Sequence, residues 1–455
     1  MSPDQSQRPQ NIAHTEEDSD DEMWDWDIRP KPSEGPSAEP LLSEEASGER
    51  GRSSYEGVEV DERARERRRH EMRSRSPTSA SARAENRKKY VMAAIFLVLS
   101  LVSFVVQTET AEYIQLELGW QKAYAMLYLT HGSWVVLWPT QLLILKMRKP
   151  NTPWRAFLTG HLSHIKTTAQ MIMASSTRLS HSQVRADPKY YMLKRIAFIT
   201  CALTFAGSTW YIAVSLTTPS DLTAIYNCSA FFAYAFSIPM LHEKPRALKI
   251  GSVAIAIIGV LVVAYGDGGS SVGENETHSE KSRVLGNIII GIGSVLYGFY
   301  EVLYKKVACP PEGTSSGRSA IFANTVGSGI GAITLSVLWI PIPILHWTGV
   351  EKFEIPSGEA AIMLAISVFS NVVFSGSFLI LMSLTSPVLS SVAGLLTIFL
   401  VAITDWFIFG TPISTAALLG GMLIIAAFVL LSWCTWKEMN EEKPKVEDDI
   451  TDEDD

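Results

Sequence analysis

The sequence predicts an all-α, polytopic membrane protein: ten transmembrane helices in two inverted five-helix repeats, with disordered cytosolic tails. Three observations carry this. Ten apolar segments have the length of about 17–25 residues that a helix needs to cross a bilayer. Charges gather at the two ends and in the connections rather than along those segments. The layout also recurs, because at an offset of 168 residues Leu216, Thr217 and Pro219 fall on Leu384, Thr385 and Pro387, while Gly251 finds Gly420 one residue late. Five spans per half is an odd number, so the second half enters the membrane upside down.

Residues 1–89 are rich in Ser, Pro, Glu and Arg, with 21 acidic and 16 basic residues. Such a segment cannot bury enough apolar surface to offset the entropy of ordering, and it is expected to be a disordered cytosolic tail. Its Arg63–Arg75 cluster reads as a solvated run, so no nucleic-acid partner is expected. The tail lacks a cleavable signal pattern, which leaves the first span as the uncleaved insertion signal. The acidic C-terminal tail, 437–455, has 10 acidic and 3 basic residues, so the overall charge of −8 leaves about +4 on the membrane body.

The first repeat, 90–265, holds spans at 90–107, 123–145, 194–215, 220–241 and 247–265. A loop at 266–284 leads to the second repeat, 285–436, with spans at 285–304, 320–345, 359–383, 387–409 and 413–435. Lys and Arg flank the even connections: Lys146, Arg148 and Lys149 at the second, Lys244 and Arg246 at the fourth, Lys305, Lys306 and Arg318 at the sixth. By the positive-inside bias these loops and both termini face the cytosol. The glycosylation sequon at Asn275 then falls in the fifth connection, on the lumenal side. In the long cytosolic loop 147–193, Trp154, Phe157, Leu158, Leu162 and Ile165 recur at helical spacing, which suits a helix on the membrane surface. The four cysteines form no metal or disulfide spacing. No metal and no cofactor are expected.

Polar residues inside spans are the functional candidates, since an ionisable group there is unfavourable by roughly 2.5–3.5 kcal/mol. Asp221, Tyr226 and Asn227 cluster early in the fourth span. Tyr297, Glu301, Tyr304 and Lys305 fall near one another on the sixth span, where a Glu301–Lys305 pair four residues apart is the favourable order. Together they form the candidate substrate path. Asp405, deep in the ninth span with no local cation, is the candidate proton carrier. The matched corners at Pro219 and Pro387 would border opposite gates, although each proline also suits a plain helix start.

The run Thr217-Thr218-Pro219-Ser220-Asp221-Leu222-Thr223-Ala224-Ile225-Tyr226-Asn227, the span-ending Glu243, and Tyr297-Gly298-Phe299-Tyr300-Glu301-Val302-Leu303-Tyr304-Lys305-Lys306 resemble the drug/metabolite transporter superfamily of EamA type. Within it, the chain is similar to fungal members of the F subfamily of solute carrier family 35. The resemblance covers about 90–436. It implies a secondary-active carrier, not an enzyme, that moves a small polar metabolite, nucleotide-sugar-like or thiamine-like, by alternating access with exchange or proton coupling. It also implies an endomembrane location, vacuole or Golgi, with the lipid bilayer as surroundings and a homodimer as the candidate assembly. One departure is that Thr411 stands in the second half where Glu243 stands in the first. A receptor or scaffold acting through its charged tails is the alternative reading.

Overall fold

The computed structural model describes residues 79–214, 216, 217, 222, 225–265, 280–409 and 415–441. The chain divides into two units, Met1–Val91 and Met92–Asp455. In the first, the described stretch is the start of helix α1, Ser79–Glu112. All else below belongs to the second.

Helix α1 runs five residues beyond the expected end of its span and closes in a π-helical turn, Tyr113–Glu117. The polar run Gln107, Thr108, Glu109 and Thr110 looks like a span end in sequence, yet an α-helix satisfies its own backbone and continues through it. Helix α2, Ala123–Gly132, a 3-10 segment, Ser133–Val136, and α3, Leu137–Arg148, make up the second apolar segment. Another helix comes close against the 3-10 segment. A Cβ at Gly331 would lie 2.2 Å from the Val135 nitrogen, so only glycine allows that approach. Ser328 Oγ donates to the Val135 carbonyl at 2.6 Å and occupies it from outside the segment.

In the long loop, α4, Trp154–Ala174, buries Phe157 and His161 and leaves Trp154 and Leu162 exposed. A short α5, His181–Arg185, leads into α6, Lys189–Val214. Then follow α7, Ser229–Leu241, and α8, Ala247–Tyr265. The second half contains α9, Glu280–Ala308, and α10, Ser316–Val337. The expected span 320–345 is not one helix. It stops at Val337 and restarts at Pro341 as α11, Pro341–Thr348, because Pro341 and Pro343 have no backbone N–H to continue it. Helix α12, Glu359–Leu384, comes next. The expected span 387–409 is also two pieces, α13, Pro387–Gly394, and α14, Leu396–Phe409. Helix α15, Thr415–Glu441, closes the described chain.

Six described helices are long and apolar enough to cross a membrane, and three shorter apolar helices cover Ile225–Leu241, Ala247–Val263 and Pro387–Ile398. Their outward faces carry exposed Val98, Phe205, Phe369 and Val429. A protein in water rarely exposes so much apolar surface. Inside, a Val- and Ala-rich core of Ala230, Val253, Ala256, Val260, Val392 and Ile424 joins α7, α8, α13 and α15. Small side chains at these positions let helices pack closely where lipid supplies no hydrophobic drive.

Candidate functional site

Four long helices and the second apolar segment surround a cavity of about 700 Å³, its mouth included. Helix α1 contributes Phe104, Gln107 and Thr108, and the α2 region His131 and Trp134. From α6 come Leu203, Gly207, Trp210 and Tyr211, with Tyr226 just before α7. The second half adds Tyr297 and Tyr300 from α9, and Asn371, Phe374, Ser375, Phe378 and Leu379 from α12. Aromatic rings dominate the wall, and none of its described residues is Asp, Glu, Lys or Arg.

Hydrogen bonds hold the rings in place. Trp134 Nε1 donates to Asn371 Oδ1 at 2.7 Å, which ties the first half of the chain to α12 across the cavity. Tyr211 shares a 3.2 Å hydroxyl contact with Thr130. The His131 ring meets Trp134 edge-on at 5.2 Å, and a Cβ at Gly207 would intrude to 2.8 Å from His131 Cε1. Glycine at 207 therefore makes room for the imidazole. Two oxygens, Gln107 Oε1 and Thr108 Oγ1, are buried with no hydrogen-bond partner among the described residues. Buried polar atoms are usually paired, so these two are exceptions.

The structure brings some of the expected residues together and separates others. Tyr226 and Tyr297 stand on the cavity wall with ring centroids 5.2 Å apart, and Tyr300 continues the stack from Tyr297 at 5.6 Å. Asn227 is half-buried and engaged elsewhere. Tyr304 is fully buried, its hydroxyl donating to the Leu379 carbonyl at 3.3 Å, and is not part of the wall. Glu301 is fully buried one turn beyond Tyr297 and accepts from Ser391 Oγ.

The expected Glu301–Lys305 pair does not form. Lys305 Nζ instead donates to the carbonyls of Met382, Ser383 and Thr385 at 3.1, 3.0 and 2.6 Å. The reason is local, since the last carbonyls of a helix lack intrahelical partners and draw a cation, and α12 ends there. Glu243 likewise pairs with Lys249, at 3.3 Å, rather than with its neighbours Lys244 and Arg246. At the Pro387 corner, Ser386 Oγ accepts from the Leu389 amide, and Pro387 takes the first helical position. Asp221, Pro219 and Asn275 lie outside the described residues, and so does the side chain of Asp405, whose backbone belongs to α14.

Several wall residues escape a reading based on charge. Phe104, Phe374 and Phe378 look like lipid-facing residues, and Gln107 and Thr108 like the end of a span. A signal for the latter pair was present, because two adjacent amide and hydroxyl side chains at a helical position need partners wherever they are buried.

A helical bundle with outward apolar faces defines the class of a polytopic membrane protein. Residues 284–433 match the EamA-like transporter family. The chain is 26% identical over 237 residues to an uncharacterized transporter of Schizosaccharomyces pombe, covering 51% of this chain and 66% of that one. It is 25% identical over 323 residues to the thiamine-repressible mitochondrial transport protein THI74 of Saccharomyces cerevisiae, covering 69% and 84%. Human solute carrier family 35 member F3 matches at 23% over 232 residues, covering 49% and 50%. The chain thus spans about two thirds of the first relative and half of the third. The resemblance to the drug/metabolite transporters and to the F subfamily of solute carrier family 35 holds.

Proposed function

We propose that this protein is a secondary-active carrier that binds a small, ring-bearing polar solute in the aromatic cavity and moves it by alternating access. The observation that carries the reading is the cavity itself, which draws its wall from both halves of the chain. Of the two solute classes implied by the family, the wall favours a flat neutral or cationic ring, thiamine-like in chemistry. Aromatic faces attract cations, whereas the diphosphate of a nucleotide sugar calls for Arg or Lys, and none lines the described wall.

The packing supports a five-plus-five arrangement with ten spans. Helix α8 packs along α15, the α2 and α3 region along α10, and α7 along α13. Each is a segment of the first half lying against its counterpart in the second, as a pseudo-twofold axis in the membrane plane would require. In this reading the termini and α4 face the cytosol of an endomembrane, and the Pro387 corner borders the cytosolic gate.

The test is uptake by purified protein in liposomes, with separate pools of thiamine-like cations and of nucleotide sugars. Saturable uptake of the cation pool is expected. Trp134→Ala should lower it at least about tenfold with normal expression, because an aromatic wall and its Asn371 tie are lost together. Uptake confined to the nucleotide-sugar pool would overturn the solute class, and no uptake of any pool would overturn the carrier reading.

A further inference from the structure

Glu301 is an acid of α9 that lies inside the bundle, one turn below the cavity wall. It is fully buried, with 0% of its surface exposed. Its Oε2 accepts from Ser391 Oγ on α13, and its Oε1 has no hydrogen-bond partner among the described residues. The cation closest in sequence, Lys305, turns away to three backbone carbonyls.

The groups around it are neutral. The phenols of Tyr226, Tyr297 and Tyr300 lie within electrostatic range, Tyr211 of α6 joins them through Tyr226, and Cys309 lies beyond Tyr300. Helix α7 brings Tyr234 as its titratable residue, α13 brings none, and α12 has only Glu359, at its far end. An ionised carboxylate offers about four acceptor positions and needs donors or a counter-ion when buried. Here it would have one neutral hydroxyl. A carboxylic acid fits the same surroundings without a counter-ion.

We propose that Glu301 is the group that binds and releases the coupling proton of this carrier. In the present conformation it is the neutral acid. Ser391 lies four residues, one helical turn, past Pro387, so movement of that corner withdraws the hydroxyl and opens the carboxyl to water. The carboxyl O–H bond then breaks, the proton passes to a water molecule, and a carboxylate remains. Reprotonation from the other side restores the acid. This inference rests on the carrier reading and gives it a coupling ion. It also moves the coupling role from Asp405 to Glu301.

The test reads protonation directly and needs no solute. Full-length protein in lipid vesicles is titrated from about pH 6 to about pH 9, where exposed carboxyls are already ionised, while the infrared C=O stretch of a protonated carboxyl is followed. The wild type should show a titrating band that Glu301→Gln lacks. Glu301→Asp and Asp405→Asn should both retain one. No titrating band in the wild type, or its survival in Glu301→Gln, overturns the proposal. In liposomes loaded with whichever pool is transported, Glu301→Gln should lose acceleration by a pH gradient by at least about tenfold. Undiminished acceleration would also overturn it. A titrating band without uptake of any pool would sink the carrier reading while leaving the proton site in place, so the two failures are separable.

Discussion

Two helix ends on opposite sides of the cavity are completed by charged side chains from elsewhere in the chain. At the start of α2, Glu351 accepts from the Tyr124 and Ala125 amides at 2.8 and 2.9 Å. At the end of α12, Lys305 donates to three carbonyls. The signs follow the helix dipole, an acid on free amides and a base on free carbonyls. The surroundings differ. Glu351 sits half-buried in a loop, near a Lys122–Glu354 pair whose glutamate is 60% exposed, so water can replace part of what it does. Lys305 meets a junction where Met382, Ser383 and Leu384 are all buried. A charge at a loop finishes a helix that water could also finish, whereas a charge in the bundle satisfies groups that nothing else reaches.

Lys305→Met should therefore have the largest effect, about 3 kcal/mol of stability lost, because charge-assisted hydrogen bonds disappear and buried carbonyls are left unpaired. Unfolding in detergent by a denaturant titration measures it, and a loss no larger than that of the α2 cap would break the comparison. Glu351→Ala should lose about 1 kcal/mol, the usual effect of removing a helix cap. The double variant should be additive within about 0.5 kcal/mol, since the two sites share no partner. If the losses are strongly non-additive, the two ends are coupled through α12.

The third effect is a pH dependence at the loop helix α4. His161 lies on the buried face of this helix and accepts from Trp138 Nε1 at 3.1 Å. Burial first, and His164 second, pull its imidazole from the ordinary value of 6.5 down to about 4. The unfolded chain thus takes up a proton before the folded one does as pH falls through 6.5. Stability from the neutral ring is fully present above that value and is lost on the way to about pH 4. A melting temperature lower at pH 5 than at pH 7, with the difference reduced in His161→Gln, is the expected result. Smallest of all, Lys122→Ala should change stability by less than about 0.5 kcal/mol, because its Glu354 partner is 60% exposed and water screens the pair, and a larger loss would show that the mostly covered Lys122 side chain contributes packing as well.

Much of the candidate site was legible because polar groups in apolar spans stand out. Tyr226, Tyr297 and Glu301 were found that way, and two of them reach the wall. Lys305 shows the limit of the same logic. Its spacing from Glu301 pointed to a pair, but helical neighbours compete with partners on other helices, and the open carbonyls of α12 prevail. Gln107 and Thr108 were lost to a boundary drawn at polarity, which a helix does not respect when its polar face is enclosed.

By itself the sequence determined the helical class, the apolar lengths, the charge clusters that bias orientation, and the resemblance to a transporter family. These are local or additive properties of composition and period. The tertiary structure decided which aromatic rings face inward, where Pro341 and Ser133–Val136 interrupt an apolar run, and which charge holds which helix end. Those outcomes depend on groups far apart in the chain, Trp134 with Asn371 and Lys305 with Thr385, which meet only when helices pack.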